Sequence, residues 1–424
     1  MSAHPAFSLA CSISDRLAHP DDAPSGPSST GWWRQSLAHG VPGIALLHIE
    51  LAAADLRSWQ RVHNWLAAAA QAPVTGGPDS HPYYGAPALA HVLALAAEHR
   101  PGAYDRALRS LDRQILADVH RRVAAAYRRI DRGELPALAE FDTIRGLTGY
   151  GAYLLRRDPD GDSIRSIIEY LVCLAQPVST REGPLPGWWT LSGPSGRGDE
   201  QFPGGHANLG VAHGIAGPLS LLALAALRGT TVDGQLEAIG SICDSFDLWR
   251  TDTGYGPAWP YCVTRSEWRS GRLAPSVPRR PSWCYGTAGL ARAQQLAALA
   301  LADTGRRLAA ETALARALAD GPQLAATADP SLCHGFAGLA HIAARAADDA
   351  LPETARELRT LLPALLNAVH PRGADPHRAT ASLMDAADRG PGLLDGAAGI
   401  ALAVLAPSAT GSPRTAWDAC LLLS

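Results

Sequence analysis

The sequence predicts an all-α protein, an α/α toroid with seven inner and seven outer helices. Two observations carry that expectation. A Gly-x-x-Gly or Gly-x-x-Ala element recurs at the head of apolar segments rich in Ala and Leu. Between these lie segments whose apolar residues repeat at helical spacing, with polar residues between them. Strand signals are weak throughout.

The heads stand at Gly40, Gly85, Gly146, Gly214, Gly286, Gly335 and Gly396. Their separations of 45, 61, 68, 72, 49 and 61 residues are irregular but comparable. That pattern fits one unit repeated with loop insertions. The second head, Gly85-Ala-Pro-Ala88, lacks the second glycine. Segments such as 219–227 and 290–301 carry few charges, as helices buried on most sides do. The stretches 55–70, 104–132, 163–174, 235–248 and 353–368 read as amphipathic partners. Alternation of the two kinds closes into a ring or stacks as an open superhelix, and composition alone allows either. In a ring the glycine heads gather at one end, which brings distant residues together.

The chain has 424 residues, 47% of them hydrophobic, enough for a large core. We expect one domain over 31–424 behind a flexible N-terminal segment, 1–30, rich in Pro, Ser, His and Asp. That segment lacks the basic start and apolar run of a secretion signal. No apolar stretch approaches the roughly 20 residues of a membrane helix. A net charge of −3 gives no electrostatic case for nucleic acid. All 37 basic residues are arginine, which excludes a phosphate loop built on lysine and lysine Schiff-base chemistry. The seven cysteines are odd in number and scattered, which argues against a disulfide framework and for a reducing, cytoplasmic compartment.

Three heads carry unusual residues: Ala212-His213-Gly214, Trp283-Cys284-Tyr285-Gly286 and Cys333-His334-Gly335. Cys284, Cys333 and His334 make a Cys2His set. Three such ligands suit a catalytic zinc, because the fourth tetrahedral position stays open. Zinc with two thiolates and a neutral histidine carries no net charge, so an added thiolate stays nucleophilic. The other cysteines (Cys11, Cys173, Cys243, Cys262 and Cys420) read as small buried hydrophobes. His39 also precedes a glycine, but without a cysteine beside it, and reads as a loop histidine.

These strings resemble the LanC family of lanthipeptide cyclases. The resemblance rests on Asn208-Leu-Gly-Val-Ala-His213-Gly214-Ile-Ala-Gly217, Trp283-Cys284-Tyr285-Gly286, Cys333-His334-Gly335 and Phe141-Asp142-Thr-Ile-Arg-Gly146. It spans residues 31 to 406 in order. It implies zinc on Cys284, Cys333 and His334, and a peptide substrate already dehydrated at serine and threonine. The peptide's cysteine thiolate would add to dehydroalanine or dehydrobutyrine and give lanthionine or methyllanthionine. A separate dehydratase would supply the substrate, since the chain shows no long dehydratase region.

Under that resemblance His213 is the acid/base group, because imidazole exchanges protons near pH 7. Asp142 orients or charges His213, or handles a proton itself, although a carboxylate at a helix head also serves as a cap. Arg280 would stabilise an enolate oxygen, or is simply solvated beside Arg279. Tyr285 is a hydrogen-bond donor or a packing aromatic. The strip 181–206, with Trp188 and Trp189, reads as a peptide-contacting loop or as an insertion with buried tryptophans. The arginine-rich stretch 104–132 is a candidate leader-peptide surface or a solvated face. Competing readings are a LanC-like zinc protein that binds a small thiol such as glutathione, a zinc prenyltransferase subunit, and a metal-free scaffold.

Overall fold

Helix follows helix along the chain in the computed structural model. It describes residues 4–22, 34–180, 183–193, 201–253, 256–274, 279–385, 390–409 and 411–424. The first helix is α1 (Pro5–Arg16). Inner helix α2 (Val41–Ala53) is followed by outer α3 (Trp59–Ala69), and α4 (Ala86–His99) by the long α5 (Asp105–Asp131). The short α6 (Leu138–Phe141) leads into α7 (Leu147–Arg157) and its partner α8 (Asp162–Leu174). Next come α9 (Ala216–Leu227) and α10 (Gln235–Leu248), then the short α11 (Arg265–Ser270). Inner α12 (Thr287–Ala300) pairs with α13 (Thr304–Ala319), and a short α14 (Gly321–Ala325) follows. The last are α15 (Phe336–Asp349) with α16 (Pro352–Val369), then α17 (Pro376–Asp385) and α18 (Ala397–Ser408).

The apolar segments became the inner helices. Every residue of α18 is buried, and so is α2 apart from its last residue. Helices of this kind have no polar face to show to water. The outer helices bury one stripe: Ser163, Ile164, Ile167, Ile168, Tyr170, Leu171 and Leu174 in α8, for example. The amphipathic stretches read from the sequence match α3, α5, α8, α10 and α16 closely.

The chain divides into two compact units. The first comprises residues 1–115 and 327–418; the second comprises 116–326 and 419–424. In the first, α15, α18, α2 and α4 pack side by side as inner helices. In the second, α7, α9 and α12 do the same.

The N-terminal expectation needs correction. Residues 5–16 are not a flexible lead-in but helix α1, which packs on α18 and α17. Ala6, Leu9, Ala10 and Ile13 are fully buried. The polar composition hid an apolar stripe at helical spacing. α1 is thus the outer partner of the seventh inner helix, supplied from the other end of the chain. Residues 1–3 and 23–30 lie outside the described residues.

Strands are few and short. Antiparallel pairs join β1 (Val178–Thr180) to β2 (Gly183–Leu185), β3 (His206–Asn208) to β6 (Cys262–Thr264), and β4 (Thr251–Thr253) to β5 (Gly256–Ala258). β3 places Asn208 opposite Cys262. Trp188 and Trp189 are buried at 2% and 0% exposure, which favours the insertion reading of that loop. No described helix is long and apolar enough to cross a membrane.

Candidate active site

Five of the seven glycine heads share one turn. The N–H of Gly40, Gly146, Gly214, Gly286 and Gly335 donates to the carbonyl four residues back. At four heads that fourth residue also offers a side-chain oxygen to the turn. Ser36 Oγ accepts from His39 N, Asp142 Oδ1 from Arg145 N and Gly146 N, Ser282 Oγ from Gly286 N, and Ser331 Oγ from His334 N. At most heads the glycine is needed for space rather than for its dihedrals, Gly85 with its φ of 76° being the exception. A Cβ on Gly335 would strike the backbone of Ser331 and Asp329, although its φ of −111° suits any residue. The second glycine serves close approach as well: a Cβ on Gly217 would collide with Thr143 Oγ1 of the neighbouring head.

Backbone hydrogen bonds tie neighbouring heads together within each unit. In the second unit Thr143 N donates to Ala212 O at 3.1 Å, and Val211 N and Ala212 N donate to Cys284 O at 2.9 and 3.2 Å. In the first unit Cys333 N donates to Leu394 O at 2.8 Å, and Leu393 N and Leu394 N donate to Ala38 O at 2.8 and 3.0 Å. Within a unit, then, residues flanking the glycines do converge.

The second unit holds all four predicted catalytic residues, Asp142, His213, Arg280 and Tyr285. His213 Nδ1 lies 2.6 Å from Asp142 Oδ2. Asp142 is 1% exposed, and its two oxygens divide the work. Oδ1 caps its own turn through two backbone N–H groups at 2.6 and 2.8 Å, while Oδ2 faces the imidazole. Both readings of this carboxylate, cap and partner of His213, are realised at once. The pairing makes Nδ1 the protonated nitrogen and turns Nε2 into the acceptor. The His213 side chain keeps 18% of its surface accessible.

Tyr285 lies near this pair, its ring 6.3 Å from that of His213. Burial pushes its phenol well above the usual tyrosine range, so it is a neutral hydrogen-bond donor near pH 7. Cys284 is buried at 7% exposure, with Sγ 3.5 Å from Ser282 Oγ. Trp283 anchors the same turn, its indole donating to Leu421 O at 3.1 Å. Arg280 contributes a backbone carbonyl, which accepts from Tyr261 O–H at 3.0 Å. Arg279, not Arg280, stacks on an aromatic ring, 4.6 Å from the centre of Tyr261.

In the first unit Cys333 is half-buried, and His334 is bracketed by carboxylates. Asp329 Oδ2 lies 3.3 Å from Nε2 and Asp395 Oδ1 lies 3.5 Å from Nδ1. The sequence reading missed both acids. Asp395 was findable, because it precedes Gly396 as His334 precedes Gly335. Asp329 lies outside the glycine motif, and only the folded turn relates it to the ring.

The remaining cysteines mostly behave as small apolar groups. Cys243 is fully buried, and burial pushes its thiol up to about 12. Cys420 is buried, whereas Cys11 and Cys262 are only partly so. Cys173 departs from the expectation of a buried hydrophobe: it lies on the exposed side of α8.

Known proteins match this architecture along nearly its whole length. The family model described as Lanthionine synthetase C-like protein matches residues 31–422. Nisin biosynthesis protein NisC of Lactococcus lactis subsp. lactis is 24% identical over 317 residues, 72% of either chain. A solved structure of nisin cyclase superposes with a TM-score of 0.78 over 98% of each chain at 22% identity. That likeness bears out the all-α toroid as the fold. With its glycine heads and a family match over residues 31–422, the chain belongs to the lanthionine synthetase C-like family.

Proposed function

We propose that this protein is a lanthipeptide cyclase that adds peptide cysteine thiols to dehydroalanine or dehydrobutyrine. The observation that carries the reading is the Asp142–His213 pair, built into a helix head of a chain in this family. The names of the relatives, a nisin biosynthesis protein and a nisin cyclase, point the same way.

Cys284, Cys333 and His334 would hold one zinc ion. The donor set fits that ion: thiolate and imidazole are its preferred partners, and three of them leave one position for substrate. Each ligand also directly precedes a head glycine or its neighbour, an equivalent place in the repeat. When bound, zinc would stabilise the substrate's sulfur as a thiolate, against a free cysteine pKa of about 8.5.

The chain's own groups handle the proton. His213 Nε2 accepts the proton of the substrate thiol while Asp142 keeps Nδ1 protonated and supports the imidazolium. The sulfur lone pair forms the C–S bond at the β-carbon, and the C=C π electrons move toward the neighbouring carbonyl as an enolate. Tyr285 is one candidate donor of a hydrogen bond to that developing charge. The proton returns from His213 to the α-carbon, so substrate and thioether product have the same atoms. Arg280 is a second candidate for the enolate, acting through charge alone. The partners under this reading are a dehydrated precursor peptide and a separate dehydratase, and the compartment is cytoplasmic.

The test is a dehydrated, uncyclised peptide incubated with the purified protein. Thiol alkylation followed by mass spectrometry counts the cysteines consumed. Ring closure well above the protein-free rate supports the cyclase. If the protein binds zinc and glutathione but leaves the peptide rate unchanged, the small-thiol reading replaces it.

A further inference from the structure

We infer that Asp329 is the positioning residue for His334, accepting its Nε2–H and leaving Nδ1 to face a divalent metal. The inference rests on the proposal that His334 is a metal ligand. An imidazole ligand binds through one nitrogen and must carry its proton on the other. The group that accepts that proton fixes the tautomer and the ring's angle.

His334 has two candidates, and they differ in how they are held. Asp329 is 8% exposed. Its Oδ1 accepts Ser331 N–H at 2.8 Å, and its carbonyl accepts Phe336 N–H at 3.1 Å. The carboxylate is therefore locked to the turn that carries Cys333 and His334. Gly335 provides the room, since a Cβ there would meet Asp329 Oδ1 at 2.6 Å. With Oδ1 occupied, Oδ2 points at Nε2 from 3.3 Å. Asp395 sits on the following head, with a side chain 30% exposed. A pinned acceptor on the ligand's own turn can hold an aromatic ring at a fixed angle. Asp395 reaches the ring from another turn, at 3.5 Å, so its hold depends on how two turns sit together rather than on one.

Zinc affinity of the full-length protein, measured by competition with a chromophoric chelator, tests the assignment. The variants are Asp329→Ala, Asp329→Asn, Asp395→Ala and Cys333→Ser. Asp329→Ala should weaken zinc about 10- to 100-fold, the usual loss for an outer partner of a ligating histidine. Asp329→Asn should recover part of it, because an amide oxygen still accepts the Nε2–H. Cys333→Ser reports the parent reading. If it loses zinc while Asp329→Ala keeps wild-type affinity, this inference fails and the metal site stands. If Cys333→Ser keeps wild-type affinity, the metal reading itself fails. A larger loss in Asp395→Ala than in Asp329→Ala overturns the assignment of nitrogens. A lower melting temperature of the metal-free Asp329→Ala protein with unchanged affinity would reduce Asp329 to a turn cap.

Discussion

The heads at Gly214 and Gly335 share one turn and carry different chemistry. Both close a backbone hydrogen bond four residues back, at 3.0 and 3.1 Å, and both leave no space for a Cβ on the glycine. At the first, the residue before the glycine is His213, paired at 2.6 Å with a carboxylate that is 1% exposed. At the second it is His334, with carboxylates 3.3 and 3.5 Å from its two nitrogens and a cysteine before it. One histidine is tied at a single nitrogen and keeps the other for a proton. The other has a carboxylate near each nitrogen, one from its own turn and one from the following head. The turn supplies a rigid place, and the residue in it supplies the chemistry.

Removing the metal head should have the largest effect. His334→Ala should abolish stoichiometric zinc and ring closure together, read by metal analysis and thiol counting. Ring closure at the wild-type rate in the metal-free variant would break the contrast. Changing the proton head comes next. His213→Ala should keep its metal and lose about 10²- to 10⁴-fold in turnover. Asp142→Asn should come close to the same loss with stability nearly intact. The N–H groups of Arg145 and Gly146 hold the amide oxygen. The amide NH2 must then face His213 Nδ1, which leaves the proton on Nε2 and removes the base. Equal turnover in Asp142→Asn and wild type would show that the tautomer does not matter.

A histidine buried for packing alone sharpens the comparison. His48 is fully buried and bonds Leu17 O at 2.7 Å through Nε2. Burial lowers its pKa to about 4 from 6.5. The folded state holds it neutral while the unfolded state protonates near pH 6.5. Its stabilisation is therefore complete above that pH and is lost as pH falls toward 4. The difference amounts to about 3 kcal/mol at most. Chemical denaturation from pH 7.5 to 4.5 should show this extra loss in wild type and not in His48→Gln; parallel curves would refute it. The smallest effect belongs to a cap without chemistry. Ser36→Ala at the Gly40 head should cost about 1 kcal/mol of unfolding free energy, with ring closure per folded molecule unchanged.

Much of this was legible in the sequence, for identifiable physical reasons. The glycines announce the inner helices because close approach admits no substitute, and helical spacing marks α8, α10 and α16 through one buried stripe. The Asp142–His213 contact was within reach, because both stand at repeat heads. Helix α1 was not, since its partner α18 lies at the far end of the chain and its polar residues resemble a disordered lead-in. Asp329 was hidden for a related reason: a side chain four residues before a motif can turn back onto it, and spacing does not record the turn.

Under the proposed function, two cysteines from separate repeats and one histidine share an ion. Cobalt substitution tests it most directly, because thiolate-to-cobalt absorption reports the sulfurs bound. The wild-type protein should take up one cobalt per chain with an intensity characteristic of two thiolates, and Cys284→Ala and Cys333→Ala should each lose about half of it or fail to bind. Full two-thiolate absorption in Cys284→Ala would contradict the account.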